Sequence, residues 1–161
     1  MVGDFLPGKL IVERGTSRDY DELARFHYVA GRPGTWAGVW VARYSDTAQA
    51  ENSAFRVQSS AFSSRIVAIA VLSWPPLGSI AREKALNVRQ HGSKKERAKW
   101  LNENVRTISR VVVHPQFRGV GLASELVRRI LRECPTRYVE TIAAMGKVHP
   151  FFEHAGMSRV E

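Results

Sequence analysis

The fold of this chain is decided by the stretch ISRVVVHPQFRGVGLASELVRRIL, residues 108–131. Three consecutive β-branched residues, Val111, Val112 and Val113, predict a buried strand, and Pro115 ends it. The apolar residues of the following segment recur at helical spacing; they are Leu122, Leu126, Val127, Ile130 and Leu131. The stretch therefore predicts a strand joined to an amphipathic helix by a turn rich in glycine.

The turn has the composition of an anion-binding site. Gly119 and Gly121 have no side chain that could obstruct a ligand, so backbone N–H groups at the start of the helix can point at a phosphate. The positive end of the helix dipole favours the same charge, and Arg118 adds a fixed positive charge beside it. An ordinary strand-to-helix connection can also contain two glycines for tight packing, so the motif counts only in its structural context.

The turn also resembles a known motif. Arg118-x-x-Gly121-x-Ala123 is similar to the pyrophosphate-binding motif Gln/Arg-x-x-Gly-x-Gly/Ala of the GNAT acetyltransferase superfamily, and Val113 and Pro115 keep the V-x-P spacing that precedes that motif. The resemblance implies that the cofactor is acetyl-CoA or a related acyl-CoA. The residues implied to hold it are Val111, Val112, Val113, Arg118, Gly119, Val120, Gly121, Leu122 and Ala123.

A second segment supports the same resemblance. Residues 149–157, HPFFEHAGM, are similar to the family's late helix, which ends in a Phe-Tyr-Glu-x-x-Gly-Phe pattern. Specific motifs therefore cover residues 108–123 and 149–157, whereas the order of the predicted elements agrees along most of the chain.

Length and composition predict a single domain, residues 1–161, large enough to bury roughly two thirds of its unfolded surface. The longest strongly apolar run, residues 66–72, is too short to cross a bilayer, and the first ten residues lack the features of a signal peptide. Cys134 is the only cysteine, so no internal disulfide can form. We expect a cytoplasmic protein without a membrane partner.

Strands and helices mix along the chain. Strands are predicted at residues 9–14, 36–44, 66–72 and 136–142, in addition to the strand before the turn. Ser17 is predicted to N-cap a helix with Leu23 and Phe26 in its apolar positions. The strands at residues 36–44 and 66–72 are expected to pair, with Trp36, Gly38, Trp40, Ala42 and Tyr44 on one face of the first.

Two further segments complete the prediction. Residues 45–64 are polar and small and form either a long loop or an extra helix, and residues 79–103 form a mostly helical, basic insertion broken near Gly92. The order β-α-β-β-insertion-β-α-β-α predicts an α/β (α+β) domain with a mixed sheet flanked by helices, which agrees with the GNAT fold. Because the family's last strand would run where this sequence stops, we expect a C-terminal sheet edge that is abbreviated or completed by another chain.

The charge of the chain favours a polyanionic partner. Lys and Arg number 24 against 15 Asp and Glu, a net charge of +9. Much of the positive charge lies in the insertion, and the candidate nucleic-acid contacts there are Arg82, Lys84, Arg89, Lys94, Lys95, Arg97, Lys99 and Trp100. Basic groups beside an aromatic ring can hold a phosphate backbone and stack a base, so nucleic acid, most simply DNA, is an expected partner. A solvated helix face would have the same composition, and CoA itself carries phosphates.

The residues expected to act as general base and as proton donor depart from the family's pattern. Its members often carry a glutamate base on the strand before the turn, but residues 107–110 contain no carboxylate, so either Glu140 acts through water or the acceptor is already a weak base. Phe152 stands where the family often has a tyrosine that protonates the thiolate. His149 and Tyr138 are possible substitutes for that tyrosine.

A narrower resemblance bears on the substrate. Phe26-His27-Tyr28, together with Ser109-Arg110, is similar to the divergent GNAT branch that includes phage Mom DNA-modification proteins and acetyltransferase-like domains fused to ABC-type ATPases. That resemblance implies modification of the N6 amine of adenine in DNA, which would have to be flipped or single-stranded. The candidate catalytic residues are His27, Tyr28, Ser109, Arg110, Glu140 and His149.

Two other functions fit the same residues. One is an ordinary N-acetyltransferase acting on a protein or small-molecule amine, and the other is a non-catalytic module that binds CoA or DNA. No metal site is predicted, because the five histidines show no ligand spacing such as HExxH and the lone cysteine supplies no cluster.

Overall fold

The computed structural model describes residues 8–28, 31–45, 64–142 and 150–160. The strands are β1 (Lys9–Arg14), β2 (Gly38–Ser45), β3 (Arg65–Ser73), β4 (Val105–Val113) and β5 (Tyr138–Thr141). The helices are α1 (Asp19–Leu23), α2 (Ile80–Leu86), α3 (Lys94–Asn104), α4 (Leu122–Glu133) and α5 (Phe151–His154). Short 3₁₀ turns occupy Ala24–Phe26, Val88–His91 and Pro115–Phe117. The order of elements is the predicted one, and the mixed α/β class is confirmed.

The five strands form one mixed sheet in the order β1-β2-β3-β4-β5. The first four are antiparallel to their neighbours, and β4 pairs with β5 in parallel. The central strand, β3, is buried at every residue after Arg65, which explains its continuous apolar sequence. The predicted pairing of residues 36–44 with residues 66–72 is confirmed by the register of β2 on β3.

Each face of the sheet is covered by a different helix. On one face, Leu126 and Ile130 of α4 pack against Trp40 and Ala42 of β2. On the opposite face, side chains of α1 pack against Val39 and Val41, together with apolar residues of β3. The α1 face and the α4 face are the names used below.

Two predicted details at the start of the chain are wrong. Trp36 packs on the α1 face, with its ring 5.7 Å from that of Tyr20, because β2 begins only at Gly38. Ser17 does not cap α1; the carboxylate of Asp19 instead accepts hydrogen bonds from the backbone N–H and hydroxyl of Thr16, at 2.6 and 2.9 Å. A short helix followed by a 3₁₀ turn therefore replaces the longer helix expected there.

The insertion has the predicted helical form. Gly92 lies between the 3₁₀ turn and α3 with a φ of 85°, a conformation that side chains disfavour, and the break expected there is confirmed. Ser93 begins α3 with a capping box, in which its hydroxyl accepts from the Glu96 backbone and the Glu96 carboxylate accepts from the Ser93 backbone. Val88 and Leu101 pack against Val105 at the start of β4 and fasten the insertion to the sheet.

The remaining elements are shorter than predicted. The strand expected over residues 136–142 is reduced to β5, and β5 is the edge of the described sheet. The late helix spans only Phe151–His154. Most of the segment expected as a loop or helix, residues 46–63, lies outside the described residues. Within the described parts, none of the helices has the length and apolarity to cross a bilayer.

Candidate functional site

A cavity of about 660 Å³ opens where β4 and β5 part. β5 pairs only with residues 105–108 of β4, so residues 109–113 present a strand edge that β5 does not cover. That uncovered edge lines the cavity. Its backbone N–H and C=O groups can bond an extended ligand that lies alongside the strand.

The glycine turn closes one end of the cavity. Gly119 and Gly121 have φ values of 83° and 85°, in the left-handed region that other residues rarely adopt. A Cβ on Gly119 would meet no atom within 4 Å, so this position requires glycine for its backbone conformation and not for space. Leu122 and Ala123 follow as the first residues of α4, whose first backbone N–H groups have no partner within the helix. The structure thus has the predicted strand, turn and helix N-terminus in one wall.

Positive charge surrounds this end of the cavity. The exposed Arg118 donates from Nε to the carbonyl of Val113 at 3.3 Å and forms an ion pair with no carboxylate among the described residues. Burial lowers the pKa of His114, and the charges of Arg65, Arg25 and Arg118 lower it further. The lowered pKa favours the neutral imidazole, and the arginines around it create the positive potential that a phosphate group requires.

One residue expected at the cofactor does not line the cavity. Val120 packs instead against the apolar cluster on the α4 face. The other eight expected cofactor residues all line the cavity; they are Val111, Val112, Val113, Arg118, Gly119, Gly121, Leu122 and Ala123.

Another part of the cavity wall is formed by the turn after α1. Phe26, His27 and Tyr28 line it, and the Phe26 ring packs edge-on against His114 at 4.9 Å. The His27 and Tyr28 rings lie 4.7 Å apart, and Tyr28 is largely exposed. The structure therefore brings His27 and Tyr28 to the same cavity as Ser109 and Arg110, as the sequence predicted.

Ser109 lies at a β-bulge. The register on β3 moves from Val71 opposite Arg110 to Leu72 opposite Ile108, which leaves Ser109 without a partner. Its hydroxyl lies 2.7 Å from that of Ser73, and Ser73 donates to the carbonyl of Thr35 at 2.6 Å. The Ser109 hydroxyl consequently donates to Ser73, with the carbonyl of Val71 as a more distant acceptor at 3.4 Å. Neither contact gives Ser109 a basic partner, and both make it a residue that holds the bulge.

Arg110 is the first residue after the bulge. Its Nη1 donates to the carbonyl of Ser109 at 2.8 Å, whereas its buried Nε has no hydrogen-bond partner among the described residues. Two residues further along the strand, Val112 belongs to the core of the α1 face. The period of a strand puts Arg110 on that same face, the side of the cavity that carries His27 and Tyr28.

Glu140 and Arg82 are engaged with each other, which corrects two expectations. Arg82 donates from Nε at 2.9 Å and from Nη2 to the two Glu140 oxygens, and the Thr107 hydroxyl donates to the same carboxylate at 2.8 Å. The Arg82 side chain is only 1% exposed, and its Nη1 donates to the carbonyl of Pro76. Arg82 is therefore not available to a nucleic-acid backbone, and Glu140, which does not line the cavity, is not placed as a general base.

The late helix forms a further wall of the cavity. Phe151 and Phe152 line it, and the Ser124 hydroxyl donates to the carbonyl of Phe151 at 3.0 Å, which ties α5 to α4. His149 lies outside the described residues. Tyr138, the other possible proton donor, packs beside Trp100 and does not line the cavity.

Sequence reasoning missed one titratable residue of the cavity, His154, an exposed residue at the end of α5. The signal was its place within the late motif, three residues after Phe151. Among the described residues, no three His, Cys, Asp or Glu side chains meet as metal ligands would.

The basic residues of the insertion line a different surface. Lys84, Arg89, Lys94 and Arg97 line a separate cleft that shares no residue with the cavity. Lys95 and Lys99 are exposed on α3 outside that cleft. The Trp100 ring is stacked on His91 at 4.4 Å and packs into the apolar contact of the insertion, so that ring face is not free to stack a base.

Comparisons with known proteins agree with this geometry. Residues 12–157 match the model of the Acetyltransferase (GNAT) family. Among solved structures, the chain is similar to a proposed acetyltransferase from Deinococcus radiodurans R1, with 16% identity and a TM-score of 0.50 over 100% of this chain and 87% of that one. It is also similar to a tetramutant of the BH1408 protein from Bacillus halodurans, with 16% identity and a TM-score of 0.50 over 94% and 95% of the two chains.

The two structural similarities show the fold alone, because their identity to this chain is low. No protein of curated function matches the chain. None of these findings supports the narrower Mom-like branch.

Proposed function

We propose that this chain, which belongs to the acetyltransferase (GNAT) family, transfers an acyl group from acyl-CoA to an amine. The observation that carries the proposal is the continuity of one cavity wall. The uncovered edge of β4 leads directly into the turn of Gly119 and Gly121 and the N-terminus of α4.

The residues of this wall fit acyl-CoA. The left-handed glycines and the first N–H groups of α4 suit a pyrophosphate, and Arg118 adds a charge that no described carboxylate neutralises. The backbone edge at residues 111–113 suits an extended arm with amide groups. When bound, acyl-CoA supplies a thioester whose carbonyl carbon is open to attack by an amine.

The acceptor amine would enter from the α1 face. There the cavity is lined by His27, Tyr28 and Arg110, while the described lining contains no Asp or Glu. The described side chains of the cavity wall that can serve as a general base are therefore the imidazoles of His27 and His154. We assign the proton-accepting role to His27, because it follows the α1 turn directly and lines the cavity together with Arg110.

The proposal is tested by thiol release from acetyl-CoA with a panel of amines and peptides. We expect turnover by the wild-type chain and a loss of 100-fold or more in kcat for His27→Ala, the range typical of a positioned general base. Arg89→Ala is a matched control, because Arg89 lines only the separate cleft and its side chain is 80% exposed. Binding of acetyl-CoA with no turnover on any acceptor would support a non-catalytic module instead.

A base amine of DNA is a second candidate acceptor. The observation in its favour is the cleft that Lys84, Arg89, Lys94 and Arg97 line with one carboxylate, that of Glu83, since an excess of basic groups suits a phosphate backbone. Mass spectrometry of nucleosides, from DNA of cells that make the soluble protein, tests this candidate. If adenine is unmodified while a small amine is acetylated, a DNA base is not the acceptor.

A further inference from the structure

Arg110 is an arginine without a counter-charge among the described residues. Its Nε is buried and makes no hydrogen bond among the described residues, and its Nη1 donates to the carbonyl of the neighbouring Ser109. A buried guanidinium nitrogen without a partner is unfavourable, because it has lost water and gained nothing in return. The Arg110 side chain forms part of the cavity wall, where an anionic ligand can supply the counter-charge that the described residues do not.

The described residues do not supply a negatively charged partner for Arg110. None of the described residues that line the cavity is Asp or Glu. The carboxylate of Glu140, on the neighbouring strand, is already occupied by Arg82 and by the Thr107 hydroxyl. A negative group that meets Arg110 would therefore arrive with the substrate.

The cofactor phosphates do not account for Arg110 either. Arg118 and the start of α4 form the phosphate end of the cavity, whereas Arg110 lies eight residues earlier, at the bulge in β4. The side chain lies on the α1 face with His27 and Tyr28, opposite the face that α4 covers. The charge therefore faces the side from which the acceptor enters.

We propose that the acceptor is a small amine that also carries a carboxylate, and that Arg110 binds this carboxylate while the amine reaches the thioester. The planar guanidinium suits a carboxylate, because its N–H groups can donate two parallel hydrogen bonds. The same charge disfavours acceptors that are purely cationic, such as polyamines. This inference rests on the proposed function and specifies its substrate class.

The experiment compares amino acids with the matching amines that lack the carboxyl group, using thiol release from acetyl-CoA. We expect the wild-type chain to prefer the amino acid by about tenfold to a hundredfold in kcat/KM, the range for a hydrogen bond to a charged group. Arg110→Met is expected to abolish the preference, mainly by raising KM for the amino acid. Arg110→Lys is expected to restore part of it.

Arg106→Met is the matched control. Arg106 lies on the same strand outside the cavity, with its guanidinium 3.7 Å from the centre of the Trp74 ring. We expect this variant to keep the wild-type preference. Calorimetric measurement of the acetyl-CoA affinity of each variant checks that the folded site is intact. If Arg110→Met does not fold, the wild-type preference for the amino acid over the matching amine tests the inference by itself.

The outcomes separate this inference from the proposed function. Equal turnover of amines with and without the carboxyl group overturns the inference and leaves the acyltransferase function standing. Absence of both acetyl-CoA binding and thiol release overturns the proposed function itself. If succinyl-CoA is preferred over acetyl-CoA and Arg110→Met removes that preference, the carboxylate belongs to the acyl chain and the assignment to the acceptor is wrong.

Discussion

At the scale of single residues, the phosphate end of the cavity depends on two glycines. Gly121 ends the turn with φ 85° and ψ 4°, so an alanine there is forced into the left-handed region. We expect Gly121→Ala to lower the free energy of unfolding by about 1 kcal/mol and to weaken acetyl-CoA binding by about fivefold or more. Chemical denaturation and calorimetric titration measure the two effects.

The control for that substitution is Gly34→Ala. A Cβ on Gly34 meets no atom within 4 Å, and its φ lies outside the left-handed region. We expect Gly34→Ala to change the free energy of unfolding by no more than about 0.5 kcal/mol and to leave the acetyl-CoA affinity unaltered. An equal effect of both substitutions would show that the conformation of the turn is not what holds the ligand.

The ion pair of Arg82 and Glu140 separates a structural role from a catalytic one. Glu140→Gln leaves a nearly buried guanidinium without its counter-charge, and we expect a loss of about 3 kcal/mol in the free energy of unfolding. The double variant Arg82→Met with Glu140→Gln is expected to lose less free energy of unfolding than Glu140→Gln alone. Thermal unfolding checks both statements.

The kinetic consequence of Glu140→Gln is equally specific. At a temperature where the variant is folded, we expect kcat to remain within about tenfold of the wild type. Loss of a general base would instead lower the rate by about 10²- to 10⁴-fold. A larger loss of kcat with intact acetyl-CoA binding would return Glu140 to the role of base.

At the scale of elements, the junction between β4 and the turn makes stability depend on pH. Burial, followed by the charges of Arg65, Arg25 and Arg118, lowers the pKa of His114 from its ordinary value of 6.5. The unfolded chain therefore binds this proton more readily than the folded chain. The stability linked to His114 is complete above pH 6.5 and declines as the pH falls below that value.

His114→Asn tests this linkage while keeping a side-chain acceptor for the Gln116 backbone N–H, which bonds Nδ1 at 3.3 Å in the wild type. We expect the wild type to lose more free energy of unfolding than the variant between about pH 7 and pH 5. The lowered pKa values of Asp19, Glu96 and Glu133 act at lower pH, since their ordinary values are 3.8 and 4.5. Parallel curves for wild type and variant would contradict the linkage.

The elements of the site could be predicted because their signals are local. The valine run, the glycine turn and the apolar period after it lie within residues 108–131, and the structure reproduces each of them. The bulge at Ser109 was not predictable, since it depends on the register of β4 against β3. The pairing of Arg82 with Glu140 was missed for a related reason, because the two residues are 58 positions apart and meet only when the insertion packs on the sheet.

At the scale of the whole molecule, positive charge lies on two separate surfaces, around Arg118 at the cavity and in the cleft of the insertion. The basic cleft of the insertion and the cavity share no lining residue. We expect Lys94→Gln with Arg97→Gln to leave the acetyl-CoA affinity unchanged and to weaken any retention of DNA in a salt-dependent gel shift. A clear loss of acetyl-CoA affinity in this double variant would show that the two surfaces are coupled.

No signal in the sequence separates these surfaces, because composition shows how many charges the chain carries and not where they lie in the fold. Arg82 counted as a basic surface residue but is buried, and Trp100 counted as a stacking ring but lies on His91. The grouping of His27 and Tyr28 with Ser109 and Arg110 was nevertheless predicted from short patterns, and all four line one cavity.

The most direct measurement is a calorimetric titration of acetyl-CoA into the wild-type chain, Arg118→Ala and Arg89→Ala. We expect one-to-one binding by the wild type and by Arg89→Ala, and binding about tenfold weaker for Arg118→Ala, which loses a charge-assisted contact to the phosphates. Absence of saturable binding to the wild-type chain, or equal affinity for all three proteins, would contradict the assignment of this cavity to acyl-CoA.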